Sequence, residues 1–569
     1  MKILGIHDGH NASICLVEDG KIAFAIQEER LTSEKNKGGF PFRSIEFMLK
    51  HLHLGIKDID AVAMASIHTS TEFETGDYYS KEKKTELRKF LERAAKKTPL
   101  YRLYTENRRR ERLQNLRIAG FGSGEIRFVG HHLCHAATAY FGSHFPHTEK
   151  ILVLTNDGAG DGLCATVSIG ENGRLKRIAK VKSANSLARI YCLVTKMLGF
   201  KPLEHEYKLM GMAPYCSEKG TAIGHGLFKD LVRISPGNPL AFERTSTEAT
   251  NKLLPLLQER FKFQRFDNIC AGLQKFTEDV LVQWVSNCVK HTGISKIALA
   301  GGIFMNVKAN KKIMELLEVE DMFVFPSCGD ETISIGAAYH IYGQMRGQLP
   351  EIEPIGHFYL GDDFSDEETL DQIKKYQKEF SFKHKKVKNI EEEIARLLAK
   401  KQVVARCKGR MEFGARALGN RSILADPSGL HCVREINLMV KKRDFWMPFA
   451  PVMLQEQAKK YIVNPKNIAA PYMILSFDTT QKYEELIAAV HQADLTARPQ
   501  VITQKMNPEY YAILKKFEKI TGGGVLLNTS FNLHGFPIVR GPKEALEVFR
   551  DSELKYLAVG DYLLEKINY

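Results

Sequence analysis

The chain has 569 residues, which is too long for one hydrophobic core, so we expect at least two domains. Its 44% hydrophobic and 26% charged residues are typical of a soluble globular protein. No apolar run approaches the length of a membrane span, and the N-terminal MKILGIHDG begins a strand where a secretion signal would need an apolar core. The ten cysteines lack CxxC spacing, which predicts buried thiols. We therefore expect a cytoplasmic protein that does not span a membrane.

In chain order, the first predicted unit is a three-stranded meander over residues 1–26, with an Asp-Gly turn after its first strand. Residues 150–170 repeat this unit, and the Gly-rich turn DGAGDG begins there at Asp157. Backbone N–H groups of such turns can close on an anion. A strand, a Gly-Gly turn and a helix follow at residues 296–317, and a further strand then runs into a helix just after Asp330.

Much of the net charge of +14 comes from one segment between the two meanders. From Lys81 to Gly120 there are 14 Lys or Arg residues against 5 Asp or Glu residues, in a predicted helical insertion at residues 78–120. We favour a solvated insertion over a dock for RNA or an anionic carrier, because no nucleic-acid motif with stacking aromatic residues accompanies it.

Four residues from separate segments form a candidate metal site. His131 and His135 are four positions apart on a predicted helix, so both imidazoles project from one face, whereas Asp157 ends a strand and Asp330 precedes a helix. Two imidazoles with two carboxylates suit a divalent transition metal, iron or manganese as readily as zinc. Hydrogen-bonded core histidines and a helix cap at Asp330 are the alternatives. The zinc-protease motif is excluded, because it needs Glu where His132 stands.

The helical periodicity is lost near residues 345–360, which predicts two domains, 1–350 and 351–569. The second domain has cations beside glycine and small residues, as a polyphosphate site needs: Lys408, Arg410, Arg416, Arg421, Lys441, Arg443 and Arg498. Arg434 and Lys442 are predicted to be solvated surface residues.

Eight segments, in order over nearly the whole chain, resemble the NodU/CmcH family of carbamoyltransferases: HHLCHAATAY, DGAGDG, KLMGMAPY, GGIFMN, RALGNRSILADP, PFAPVML, ARPQVI and LLNTSFNLHGFPIV. The resemblance implies an α/β protein with a duplicated N-terminal domain, like that of actin, Hsp70 and the sugar kinases, and a YrdC-like α/β C-terminal domain. Lys441 with Arg443, and Ser530 with Asn532, match the Lys-x-Arg and Ser-x-Asn pairs of YrdC-like domains.

The same resemblance implies a two-step reaction. ATP and carbamoyl phosphate would form carbamoyl-adenylate in the C-terminal domain, and the N-terminal domain would pass the carbamoyl group to a hydroxyl, less readily an amine, of a small natural product such as an antibiotic. The implied cofactors are Fe²⁺, or another divalent transition metal, and ATP with Mg²⁺. The implied partners are carbamoyl phosphate and the acceptor, without a membrane or nucleic acid, and the oligomeric state, a homodimer included, stays open.

The resemblance also implies residue roles. His131, His135, Asp157 and Asp330 match metal ligands. The matched adenylate-pocket residues are Ser186, Lys208, Gly301, Gly302, Asn306 and Asn310. The matched ATP and carbamoyl phosphate contacts are Arg416, Lys441, Arg443, Arg498, Asn528, Ser530 and Asn532. Lys35 and His10 match positions that face the acceptor, with His10 or Asp8 as the general base and a turn-forming role as the alternative for Asp8.

Two departures and two other functions stay open. Ala188 stands where the family usually has Gly, and Met447 where many relatives have Arg, so an anion contact is either missing or supplied by Lys442. The chain could instead be a tRNA-modifying enzyme of the threonylcarbamoyl type, which the basic insertion favours. The remaining alternative is a non-enzymatic, actin-like ATP-binding switch.

Overall fold

A computed structural model of the protein describes residues 1–68, 99–122, 126–347 and 351–567. Its first sheet contains β1 (Lys2–His7), β2 (Ser13–Glu18), β3 (Lys21–Gln27), β4 (Ala61–Ala65) and β5 (Ile126–Val129), in the order β3-β2-β1-β4-β5. Its second sheet contains β6 (Ile151–Gly160), β7 (Leu163–Glu171), β8 (Arg174–Lys182), β11 (Lys296–Ala300) and β12 (Asp321–Val324), in the order β12-β11-β6-β7-β8. A separate hairpin is formed by β9 (Val232–Ser235) and β10 (Asn238–Arg244).

The two sheets share one topology. In each, the first strand pairs antiparallel with the next strand of the meander and parallel with a later strand, β4 in the first sheet and β11 in the second. This repeat confirms the predicted α/β fold with a duplicated N-terminal half.

Two helices, His131–Gly142 (the histidine helix) and Ile333–Arg346, pack against each other between these sheets. A Cβ atom on Gly336 would lie 1.9 Å from the carbonyl oxygen of Cys134, so the close approach of the helices requires glycine. Because Asp330 immediately precedes the second helix, this packing brings it beside the histidines. The other α-helices of this half span Glu29–Thr32, Phe42–His51, Pro99–Ile118, Leu187–Met197, Glu206–Met212, Glu218–Phe228, Leu254–Arg260, Phe266–Thr292 and Val307–Met314.

The C-terminal part is built on an eight-stranded sheet in the order β13-β22-β21-β14-β15-β20-β16-β19. Its strands are β13 (Phe382–Lys386), β14 (Val404–Cys407), β15 (Arg421–Ala425), β16 (Ala450–Leu454), β19 (Gln500–Ile502), β20 (Val525–Ser530), β21 (Tyr556–Val559) and β22 (Tyr562–Lys566), and β17 (Phe477–Asp478) pairs separately with β18 (Thr496–Ala497). The α-helices span Asp366–Tyr376, Ile390–Ala399, His431–Ile436, Ala458–Tyr461, Pro508–Thr521 and Pro542–Arg550. We propose a domain boundary near residue 350, between this sheet and the duplicated half.

Buried hydrogen bonds join the two parts. The Arg30 guanidinium donates to the carbonyl oxygen of Gly414 at 2.7 Å, and the Asn310 amide donates to that of Ile474 at 2.9 Å. The two parts are therefore joined by buried hydrogen bonds between distant segments of the chain.

Of the predicted basic insertion 78–120, residues 78–98 lie outside the described residues, and Pro99–Ile118 forms a helix. Arg109 and Arg117 are exposed on that helix, as in a solvated insertion, but Arg112 is buried. All ten cysteines are free thiols and nine are buried, as predicted. None of the helices in the described part of the chain combines the length and apolar character needed to cross a membrane.

Candidate active site and metal centre

The four residues predicted as metal ligands meet at one point. Ligand atoms of His131, His135, Asp157 and Asp330 all lie within 4.8 Å of one another. The His131 Nε2 atom is 3.4 Å from Asp157 Oδ2 and 3.5 Å from Asp330 Oδ1, and His135 Nε2 is 3.4 Å from the same Asp330 oxygen. Ligands bonded to one ion at about 2.1 Å are about 3 to 3.5 Å apart, so the spacing suits a shared cation.

The polar atoms of this cluster also fit a metal. His131 Nε2, His135 Nε2 and Asp330 Oδ1 are buried and have no hydrogen-bond partner among the described residues. A buried polar atom without a partner costs about 1–3 kcal/mol. A divalent transition metal would satisfy these atoms, and imidazole nitrogens with carboxylate oxygens are a donor set that such metals accept.

Neighbouring groups orient the cluster. Ser66 Oγ is 3.0 Å from Nδ1 of His131, which directs the other ring nitrogen toward the carboxylates. The Asp161 carboxylate accepts a hydrogen bond from the His131 backbone N–H at 2.7 Å, and the Gly302 N–H donates to Asp157 Oδ1 at 3.0 Å. The Gly-Gly turn therefore holds a predicted ligand from the backbone.

Burial and neighbouring charges shift the pKa values of His131 and His132 in opposite directions. Burial lowers the pKa of His131, but the Asp330 and Asp157 carboxylates outweigh burial and raise that pKa to about 9. Burial and the neighbouring His131 lower the pKa of His132 to about 3, and its Nδ1 is 2.8 Å from Thr155 Oγ1. His132 is thus a neutral supporting residue outside the ligand set.

A cavity of about 500 Å³ connects this cluster to the C-terminal part. Its wall includes Asp157 and Asp330 at the cluster, and it also includes four predicted phosphate contacts, Arg416, Lys441, Arg443 and Arg498. Residues of both parts line it, so the cavity forms only where the two parts meet.

The four cations bring positive charge to the wall of the cavity. None of them forms an ion pair with a carboxylate in the described part of the chain. Burial, and then the like charges of Arg416 and Arg443, lower the pKa of Arg498. Burial likewise lowers the pKa of Arg443, to about 10. Mutually repelling buried cations favour a polyanion between them.

Three other cations of the predicted polyphosphate set have partners within the fold. Lys408 pairs with three carboxylates, and Arg410 and Arg421 donate to backbone carbonyl oxygens. All three lie outside the cavity wall, and their hydrogen bonds and ion pairs are made within the fold. Met447 lines the cavity whereas Lys442 is exposed outside it, so Lys442 does not replace the arginine of the relatives.

Of the three remaining predicted phosphate contacts, two line the cavity and one lies outside its wall. Ser530 and Asn532 line the cavity and accept hydrogen bonds from Lys441 Nζ at 3.1 and 2.6 Å. Asn528 is buried outside the cavity wall, where its amide donates to the carbonyl oxygen of Ala417.

Of the six predicted adenylate-pocket residues, Gly302 and Asn306 line the cavity. The others support its wall. Ser186 caps a helix and donates to the carbonyl oxygen of Asp157, and Lys208 pairs with Asp444 at 2.9 Å. Asn310 bonds backbone carbonyl groups, and Gly301 has a φ of 109°, which favours glycine.

Of the three residues predicted to face or deprotonate the acceptor, two line the cavity and Asp8 does not. His10 and Lys35 line the cavity, and Lys35 Nζ pairs with Glu204 at 2.7 Å. Asp8 instead forms a buried, two-pronged ion pair with Arg112, at 2.7 and 2.8 Å, and lies outside the cavity wall. The sequence did not single out Arg112, although it shares a helix face with the buried Leu116 four positions later.

Replacement of Arg112 by alanine is expected to destabilise the fold by about 3–5 kcal/mol, because Asp8 would remain buried without its partner. The free energy of unfolding in urea measures this loss. Arg117→Ala removes an exposed arginine from the same helix and should change that free energy by less than about 0.5 kcal/mol. Equal effects of the two substitutions would contradict a structural role for the Asp8–Arg112 pair.

Comparison with protein families decides what kind of enzyme this is. The family model described as Carbamoyltransferase N-terminus matches residues 2–339, and the model described as Carbamoyltransferase C-terminus matches residues 395–566. The chain belongs to the carbamoyltransferase family. This membership makes it an enzyme and removes the non-enzymatic switch from consideration.

Relatives of this carbamoyltransferase match it almost end to end. An uncharacterized protein of Methanocaldococcus jannaschii is 30% identical over 99% of this chain and 100% of its own length. Nodulation protein NolNO of Sinorhizobium fredii is 31% identical over 98% of this chain and 79% of its own length. Among solved structures, full-length HypF in a phosphate- and nucleotide-bound form covers 61% of this chain and 56% of its own, with 15% identity and a TM-score of 0.35.

The carbamoyltransferase cavity also contains residues that the sequence did not single out. Burial raises the pKa values of Glu206 and Glu331 to about 7, and both carboxyl groups line the cavity. Arg189 lines it too, close to Gly158, which follows Asp157 in strand β6. The sequence could have indicated such residues by their position beside a motif residue, as Glu331 directly follows Asp330.

Proposed function

We propose that the protein is an ATP-dependent O-carbamoyltransferase that works in two steps at the two ends of one cavity. In the first step, Arg416, Lys441, Arg443 and Arg498 would hold the phosphates of ATP, with its Mg²⁺, and of carbamoyl phosphate. Water would first hydrolyse carbamoyl phosphate to carbamate and inorganic phosphate. A carbamate oxygen then attacks the α-phosphorus of ATP and pyrophosphate leaves, with the cations opposing the negative charge that builds on the leaving group. The product is carbamoyl-adenylate.

In the second step, the acceptor hydroxyl oxygen would attack the carbamoyl carbon of the adenylate beside His131, His135, Asp157 and Asp330, and AMP would leave. We infer that these residues hold Fe²⁺ or another divalent transition metal, which as a Lewis acid would polarise the carbamoyl carbonyl or the phosphate. Burial lowers the pKa of His10, so its imidazole is neutral at neutral pH and can accept a proton from an acceptor hydroxyl. Asp8 pairs with Arg112 and would position the turn after strand β1, which carries His10.

The continuous cavity is the observation that carries the proposal. Carbamoyl-adenylate hydrolyses readily in water, so an enclosed route from the site of its formation to the site of its use avoids that loss. The limited volume also favours a small-molecule acceptor, such as a natural product, over a macromolecule.

The test is pyrophosphate release from ATP, measured with and without carbamoyl phosphate and with no acceptor present. Release that depends on carbamoyl phosphate is the expected result. An intact protein that binds ATP but releases no pyrophosphate with carbamoyl phosphate would overturn the first step.

Ser66→Ala is expected to weaken binding of a divalent metal by about 10–100-fold, because His131 loses the hydrogen bond that orients its ring. Competition with a chelator of known affinity measures the change. The unfolding temperature of the metal-free variant should match that of the metal-free wild type. Unchanged metal affinity would argue against the proposed centre.

A further inference from the structure

Lys441 differs from the other lysines near the cavity. It ends a π-helical turn, Asn437–Lys441, is only 2% exposed, and lines the cavity wall. Its Nζ donates to Ser530 Oγ, to Asn532 Oδ1 and to the Asn532 carbonyl oxygen, all of which are uncharged. Within the described residues no carboxylate forms an ion pair with it.

Carboxylates neutralise the comparable lysines. Lys35 pairs with Glu204 and Lys208 pairs with Asp444. For Lys441, burial and then the positive charges of Arg443 and Lys35 lower the pKa well below its usual value. Three donated hydrogen bonds use all three N–H groups of the ammonium form, which has no lone pair. A desolvated amine among cations loses a proton readily; the loss gives up one of these hydrogen bonds, frees the lone pair and makes the amine a nucleophile.

The surroundings of this amine also attract small anions. Arg416, Arg443 and Arg498 line the same cavity, so an anion that enters is drawn toward the space beside Nζ. Cyanate is such an anion, and carbamoyl phosphate, the substrate in our proposed function, releases cyanate when it eliminates phosphate.

We propose that Lys441 is a site of covalent carbamoylation by cyanate. The Nζ lone pair adds to the carbon of isocyanic acid, the C=N π pair moves to the isocyanate nitrogen, and that nitrogen takes up the proton that Nζ releases. The product is a neutral ureido side chain, formed without an oxidant or a leaving group. The modification removes one of the four cations, so it would inactivate the phosphate-binding end of the cavity.

An anion already in the cavity should protect the lysine. Negative charge beside Nζ favours the protonated amine, which is not a nucleophile, and the bound anion also blocks access. The addition to cyanate needs neither ATP nor turnover, so its test is independent of the proposed function. Only the consequence for activity depends on that function.

The adjacent Lys442 supplies an internal control, because it is exposed and shares the chain segment. The full-length protein is treated briefly with potassium cyanate at neutral pH, digested with a protease that cuts at acidic residues, and sequenced by mass spectrometry. We expect carbamoylation of Lys441 to be at least about tenfold faster than that of Lys442, since each unit of lowered pKa gives about tenfold more free amine. Inorganic pyrophosphate should slow the reaction at Lys441 and leave Lys442 unchanged.

Two outcomes would overturn the proposal. Modification of Lys441 that is no faster than that of Lys442 would mean that its three hydrogen bonds and its burial shield the amine. Fast modification that pyrophosphate fails to slow would mean that the reactive amine does not face the anion-binding cavity.

Discussion

His131→Ala is expected to lower acceptor carbamoylation by at least about 100-fold while carbamoyl phosphate-dependent pyrophosphate release stays close to the wild-type rate. Loss of a residue that only orients a metal ligand lowers metal affinity or activity by about 10–100-fold, so loss of the metal ligand itself should lower the transfer rate by at least the upper value. The first step should continue because the four cations that we propose to bind phosphate are not part of the His-Asp cluster.

Both rates are measured on one preparation, together with bound metal. Asp330→Asn keeps the shape of the side chain and removes its charge, so it should reproduce the loss of transfer without a cavity in the core. His144→Ala removes an exposed imidazole elsewhere in the same half and should leave metal content and both rates unchanged. If His131→Ala stopped pyrophosphate release in a folded protein, the assignment of one step to each end of the cavity would be wrong.

Lys441→Ala is expected to lower pyrophosphate release by about 10²–10³-fold, because a cation placed at the developing charge of the leaving group is lost. The metal content should not change, since Lys441 contacts Ser530 and Asn532 and is not part of the His-Asp cluster. The rate is read as pyrophosphate formed at saturating ATP and carbamoyl phosphate.

Lys442→Ala is the matched control, since it removes the neighbouring exposed lysine and should keep the wild-type rate. Lys441→Arg retains a charge at the position and should recover part of the activity, although the planar guanidinium cannot reproduce all three hydrogen bonds of the amine. Wild-type pyrophosphate release by Lys441→Ala would remove this lysine from the first step.

Much of the candidate site could be predicted from the sequence, because local geometry determines which side chains can share a face. His131 and His135 are one helical turn apart. Asp157 lies in the irregular last part of strand β6, which extends beyond the turn position that the sequence predicted, and Asp330 begins the short turn before a helix. The repeated meander likewise indicated the duplicated sheet. These features depend on periodicity and turn chemistry, which a sequence displays directly.

The partners of individual charges could not be predicted in this way. Arg410 and Arg421 lie in the same short segment of sequence as the cavity residue Arg416, yet their guanidinium groups donate hydrogen bonds to backbone carbonyl oxygens. The sequence is compatible with Asp8 as a general base or as a turn residue, whereas the structure pairs it with Arg112, 104 positions away. A charged side chain is neutralised by the groups that lie near it in space, and separation along the chain does not predict the distance between two side chains.

The sequence by itself therefore determined the family resemblance, the α/β class and the residues that can bind a metal, since each follows from local pattern and residue chemistry. Only the tertiary structure decided which cations keep their charge available, that Lys441 lacks a carboxylate partner in the described part of the chain, and that one cavity joins the two ends. The physical reason is that burial, ion pairing and cavity shape arise from contacts between distant segments, and these exist only after the two parts have packed together.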